Sequence, residues 1–477
     1  MTTRTPSRPD AHGNPVSGER IAIDLYDTAI DRYLRFHPDV VTHTTALVTD
    51  HPDFAMGQAL AAYLSLTSTD TPDLAGAQDA AAAMDAVAVN EREAAHRVAI
   101  GSWLAGDWRE AARGLDDVLL RWPADLLALL VGHQLDFFLG DAANLRDRVG
   151  RSVGRIDPTH PHHGFVRGMY SFGLEESGRY DLAHEHGMTA VEANRDDVWA
   201  IHAVVHVHEM RGDVDEGIRF LSRREADWAR GNLFTVHNWW HRALFLLEAG
   251  MVDEALAIYD AHIHHAESAG VPLEMVDAAA LLWRLFLEGV DVGGRFASLA
   301  NAWSTRVTDE PWYVFNDFHA VMTLCGAGRL AEARAVIERL SRSVETRYPA
   351  RRTNVAMTVE VGLPACLAVL AYAEGRDDDV LDALMPARAA FNRFGGSHAQ
   401  RDVLQRTVLA AALRGGSFDV AAALISERLG VRPSSVYALA QSAALAAARG
   451  QGAHADRAAA AAAEHRTRFA AVARLEQ

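Results

Sequence analysis

Apolar residues recur along most of this chain at the three- and four-residue intervals of an α-helix, as in Leu115, Val118 and Leu119 ahead of Trp122. Alternating, strand-like runs are almost absent. The helical pattern is broken at intervals by a short mark: a glycine, often followed by Asp or Arg, a few residues before an alanine-rich apolar run. The mark stands at Gly106, Gly140, Gly178, Gly212, Gly250, Gly289, Gly328, Gly375, Gly416 and Gly450, with successive spacings of 34, 38, 34, 38, 39, 39, 47, 41 and 34 residues. A helix that ends at such a glycine can turn left-handed at low steric cost, and a nearby Asp or Ser can cap the next helix. Periods of 34 to about 40 residues belong to tetratricopeptide-like helical hairpins. The pattern therefore predicts an all-α superhelix, an α-solenoid of about ten helical pairs. Residues 21–477 read as a single domain of this kind, with a terminal alanine-rich helix after Gly450. Residues 1–20 read as a disordered lead-in.

The repeats are uneven. Histidine, tryptophan and acidic residues concentrate between about 130 and 320, whereas a binding-only array usually varies its inner face loosely. The longest interval, between Gly328 and Gly375, holds "TRYPARRTNVAMTVEVGLP". It predicts a loop or displaced helix that covers one mouth of an inner groove, a lid over 329–375.

Composition narrows the function classes. The chain has 477 residues, 49% hydrophobic and 23% charged, which is globular rather than disordered. Its formal charge is −17, from 63 acidic against 46 basic residues, with no long basic run. Nucleic acid is thereby disfavoured as a partner, and so are anionic membrane surfaces. No run of 18 apolar residues suggests a membrane span, and the cytoplasm is the expected location. Cys325 and Cys366 lie in apolar contexts as small buried hydrophobes, with no zinc-thiolate spacing.

The candidate chemistry lies in the central repeats. "IHAVVHVHEM" places His202, His206 and Glu209 within a narrow arc of one helix face. "HNWWH" sets His237 and His241 one turn apart, with Asn238, Trp239 and Trp240 between them. About one repeat separates the two stretches, so their faces should adjoin. Further upstream, "GHQLDFFLGD" pairs His133 with Asp136, and "THPHHGFVRGMYSFGLEESG" runs from His160, His162 and His163 to Glu175 and Glu176. "WYVFNDFHAVM" adds Asn316, Asp317 and His319. Such histidines serve either as buried hydrogen-bonders that hold helices in register or as members of one converging site. A converging site would bind a small organic ligand between tryptophan walls and act by acid–base chemistry, a hydrolysis or an elimination. His206 or His241 would be the base and Glu209 its orienting partner, with His202 and His237 beside them. Neither HExxH nor HxxEH occurs, so no metal or other cofactor is expected; were one bound, His202, His206 and Glu209 would be its ligands. "GGSHAQRDVL" opens a helix on Gly395, Gly396 and Ser397, and its Arg401 could clamp an anion or pair with an acidic neighbour. The alternative is a non-catalytic scaffold for a protein or peptide.

These motifs resemble those of the tetratricopeptide repeat protein 38 family, over about residues 20–445. The resemblance rests on "HPDFAMGQALAAYL", "HQLDFFLGD", "HHGFVRGMYSFGLEESG", "HAVVHVHEMRG", "HNWWHRALFLLEAG", "VFNDFHAVM" and "GGSHAQRDV". It implies a tetratricopeptide-like fold and marks His133, His163, His202, His206, Glu209, His237, Asn238, Trp240, His241, Asp317, His319 and Arg401 as pattern positions. It implies no particular reaction. Gln134 stands where some members have aspartate directly after the first histidine, which puts a His-Asp pair there in doubt, with Asp136 as the substitute.

Overall fold

In a computed structural model, which describes residues 7–308, 310–347 and 352–476, each glycine mark joins two helices and has a positive φ, from 62° at Gly140 to 84° at Gly106. Ten hairpins follow from these ten turns. Two more precede them, Arg20–Leu34 with Val40–Asp50 and Ala55–Thr67 with Leu74–Asp85. Their turns carry no glycine. Phe36 (φ 51°) and Thr69 (φ 59°) take the left-handed conformation instead.

The helix before each mark faces the interior and the helix after it faces outward. Seven inner helices build the site: α1 (Leu126–Leu139), α2 (His163–Glu176), α3 (Val198–Arg211), α4 (Thr235–Glu248), α5 (Pro272–Leu287), α6 (Val314–Gly326) and α7 (His398–Arg414). α1 is buried around almost its whole circumference, the signature of a core helix. The outer helix Trp108–Arg121 instead buries a single stripe of Trp108, Ala111, Leu115, Val118 and Leu119.

The superhelix winds tightly enough to close on itself. α7 lies across the inner faces of α3 and α5. Arg284 Nη2 on α5 donates to the Ala399 carbonyl (2.6 Å), and Trp283 Nε1 donates to Thr407 Oγ1 (3.0 Å). At Gly140 a Cβ would fall 1.6 Å from the Asn392 carbonyl oxygen, so glycine is required there for contact as well as for φ. The interior is thus largely filled by side chains.

Three further segments bear on what the sequence predicted. Residues 7–17 are an ordered hairpin, not part of a disordered lead-in: β1 (Ser7–Pro9) pairs antiparallel with β2 (Pro15–Ser17). The hairpin docks because buried Asp10 meets Arg92 (3.1 Å) and Glu93 Oε1 accepts from Ser17 N (2.6 Å). The 329–375 interval is mostly helix, as Leu330–Arg347, Thr353–Met357 and Leu363–Ala373, with 348–351 outside the described residues. Thr353 ties it to the first marked hairpin, accepting from Trp108 N (3.0 Å) and donating its N–H to the Gly106 carbonyl (2.8 Å). Finally, Thr353–Ala373 is long and apolar enough to cross a membrane by length and composition, yet 67% of its apolar window is buried among other helices.

Candidate functional site

α3 starts at Asp197, whose Oδ1 accepts from Ala200 N (2.9 Å), and this phase points His202 and His206 inward one turn apart. α4 crosses beside it and presents His237 and His241 with the same spacing. The four imidazoles meet. His202 Nε2 and His237 Nε2 are 3.0 Å apart, and His237 Nε2 and His241 Nε2 are 3.2 Å apart. The His206 ring lies 4.3 Å from that of His202 and 4.5 Å from that of His241. One ring nitrogen from each of the four lies within 4.8 Å of the others.

Carboxylates stand behind this cluster. His237 Nδ1 donates to Asp277 Oδ2 on α5 (2.7 Å), and His241 Nδ1 donates to Glu209 Oε2 on α3 (2.9 Å). Glu175 on α2 approaches His206 Nδ1 at 3.6 Å. Gln400 Nε2 on α7 donates to the other Asp277 oxygen (3.3 Å), so the C-terminal repeats brace the central ones. Trp240 stacks on His237 at 5.3 Å, and the Arg284 guanidinium lies 5.4 Å over the Trp240 ring.

Burial sets the electrostatics. It holds His202, His206 and His241 well below the ordinary histidine value, and the other imidazoles push the same way. Burial likewise raises the Glu175 carboxyl well above its ordinary value, with Glu176 and Glu209 adding repulsion.

One cavity adjoins the cluster at Glu209, and a second shares part of its wall. The inner one, about 30 Å³, is lined by Glu209, Arg284, Asp402, Arg406 and Arg432 among others. The outer one, about 450 Å³, shares Asp402 and Arg432 in its wall and adds Arg388, His398, Arg401 and Arg428. Among the described residues, Arg432 has one carboxylate contact, to Asp402 at 3.8 Å, and is the least committed guanidinium there.

No family model matches this chain. Among solved structures, a monomeric mutant of IFIT1 with Gppp-AAAA is 14% identical, covering 92% of this chain and 99% of that one at a TM-score of 0.39. The tetratricopeptide domain of P58(IPK) is 12% identical, covering 81% and 98%, at a TM-score of 0.21. Naa15/Naa10 bound to HypK-THB is 14% identical, covering 96% and 80%, at a TM-score of 0.25. The fold assignment rests on the hairpins of this chain itself.

The structure sorts the expected site residues. His202, His206, His237, His241, Glu209 and Trp240 come together. Glu209, expected as a third ligand beside His202 and His206, stands behind His241 instead, while His237 and His241 complete the ring. His133 borders the site, edge-on to Trp199 at 5.4 Å. Asn238, next to His237 in sequence, is buried, with neither amide atom hydrogen-bonded among the described residues. Asp136 does not pair with His133; it accepts from Arg148 Nε (2.7 Å) and Nη2 (3.0 Å), because a buried guanidinium needs that fork. Trp239 turns away and stacks on His262 at 3.9 Å. His163 opens α2 about 18 Å along the helix from Glu175. His319 donates from Nδ1 to the Phe315 carbonyl (2.8 Å) among phenylalanines, and Asp317 lines a separate cavity with Thr69 and Asn316. Arg401 is not free to clamp an anion: it donates to Glu176 Oε2 (3.0 Å) and to the Gly396 carbonyl. The anion at the start of α7 is this same Glu176, whose Oε1 accepts from His398 N (2.8 Å).

Asp277, Gln400 and Arg284 were missed. Asp277 did leave a signal, a lone acid inside the apolar run "MVDAAALLW", and such a residue needs a buried partner.

Proposed function

We propose that the closed superhelix houses an acid–base site for a small anionic substrate admitted to the arginine-lined outer cavity. The carrying observation is the position of Glu209: one oxygen accepts from His241 Nδ1, while the residue lines the inner cavity that shares Asp402 and Arg432 with the outer one. Glu209 thereby links the imidazole cluster to the cavities, and His241 fixes its orientation. These roles exchange those expected from the sequence. An outer cavity of about 450 Å³ suits a small organic molecule, and Arg432, Arg388 and Arg428 favour a carboxylate or phosphate on it. Hydrolysis and elimination both fit a carboxylate that gives and takes one proton beside a fixed imidazole.

Membership of the tetratricopeptide repeat protein 38 family is part of this proposal. It is supported by "HAVVHVHEM", "HNWWH" and "GGSHAQRD", the stretches that supply α3, α4 and the start of α7.

A thermal-shift screen of small carboxylates and phosphates tests the reading. Binders should raise the melting temperature of the native chain and fail on Arg432→Ala. For any substrate turned over, Glu209→Gln should lower kcat by about 10²–10⁴-fold with KM little changed. A screen without binders, or shifts that survive Arg432→Ala, would sink the idea. The coarser reading stands on the fold alone: helical-repeat superhelices commonly serve as scaffolds for proteins or peptides.

A further inference from the structure

A hydrogen-bond count around the imidazoles does not close. His237 and His241 each donate from Nδ1 to a carboxylate, which accepts only. A neutral ring that donates from Nδ1 carries its lone pair on Nε2, and these two Nε2 atoms face each other at 3.2 Å. His202 Nε2, 3.0 Å from His237 Nε2, can supply one hydrogen to that contact, but its own Nδ1 is then buried without a partner. Neither nitrogen of His206 has a hydrogen-bond partner, and that side chain is fully buried. Lone pairs converging among buried side chains repel unless a cation sits among them.

Metal coordination would take one lone pair from each of the four imidazoles. An ion with N–metal bonds of about 2.0–2.1 Å in a tetrahedron spaces its ligand nitrogens roughly 3.3 Å apart. Two of the six nitrogen–nitrogen separations, 3.0 and 3.2 Å, are close to that value, and all six lie within 4.8 Å. Metal-bound histidines usually donate their other ring N–H to a carboxylate, which fixes the tautomer. Asp277 does this for His237, Glu209 for His241, and Glu175 stands near His206 Nδ1.

We propose that His202, His206, His237 and His241 form a binding site for one divalent transition-metal ion of the class that imidazole favours, Zn²⁺, Fe²⁺ or Co²⁺. The site rests on the imidazole geometry alone and does not depend on the substrate proposed for the cavities. A second group, His12, His160 and His162 under the N-terminal hairpin, provides the control. There His12 Nε2 already bonds His162 Nδ1 (2.9 Å), and His162 Nε2 bonds Asp31 (3.1 Å), so its bonds close without an ion.

The test is the full chain expressed in Co²⁺-supplemented medium, with metal content measured by plasma mass spectrometry and the visible d–d spectrum recorded. One Co²⁺ per chain with four-coordinate absorption is expected. His237→Ala/His241→Ala should abolish both, and His12→Ala/His162→Ala should leave both intact. Should the first double variant fail to fold by circular dichroism, Asp277→Asn and Glu209→Gln take its place. Each should then weaken affinity about 10- to 100-fold in a chelator competition. Native protein without stoichiometric cobalt, or cobalt indifferent to all of these central substitutions, overturns the site. Anion binding that depends on Arg432 would survive that outcome, so the two proposals fail separately.

Discussion

His133 lies at the edge of the imidazole cluster, edge-on to Phe172 and Trp199, and burial pushes its pKa down to about 3. The folded protein refuses a proton that the unfolded chain accepts below about 6.5. Stability from this residue is therefore complete above pH 6.5 and falls by about 1.4 kcal/mol per pH unit as acid is added, until the pH reaches about 3. His133→Leu should flatten that limb: between pH 7 and pH 5 the variant should lose fewer degrees of melting temperature than the native chain. Equal losses would place the acid sensitivity elsewhere. The same residue shows what was legible in the site. Helical spacing paired His202 with His206 and His237 with His241, because i and i+4 positions share a face, and the one-repeat separation of the two stretches set the pairs side by side. The partners of Asp136, Trp239 and Arg401 were not legible, since each is set by an element distant in sequence or by a neighbour with a stronger claim: Arg148, His262 and Glu176.

At the scale of the element, the start of α7 links helix formation to the cluster. Ser397 Oγ accepts from Gln400 N (3.2 Å) and Gln400 Oε1 accepts from Ser397 N (3.1 Å), a reciprocal capping box. Gln400 also reaches Asp277, and through it His237. Ser397→Ala should cost about 1 kcal/mol in denaturant unfolding and leave the metal or ligand affinity unchanged. Gln400→Ala should cost a similar amount and also weaken whatever the imidazoles bind. If both variants behave alike, the cap and the cluster are independent. The glycine marks made ten of the hairpins readable because a left-handed turn favours a residue without Cβ. The first two hairpins escaped notice because Phe36 and Thr69 bear that strain, held by tertiary contacts: Phe36 stacks on Trp199 at 5.3 Å, and Thr69 accepts from Asn316 Nδ2 (3.1 Å).

Across the whole molecule, the decisive feature is the closure of the superhelix, which no repeat period encodes. Its tightest point is Gly140 against Asn392, contributed by residues 252 apart in sequence. Gly140→Ala should destabilise by more than the ~1 kcal/mol of its positive φ alone, since the new Cβ must displace a backbone carbonyl. A loss confined to that figure would mean the two segments part easily. Closure also imposes an order of events on biosynthesis. Translation is vectorial, so α3 and α4 leave the ribosome more than 150 residues before His398 and Gln400 can cover them. During that interval the nascent imidazoles face solvent, and any ion they keep has its easiest entry then. The finished protein would exchange that ion only as fast as its C-terminal repeats peel away.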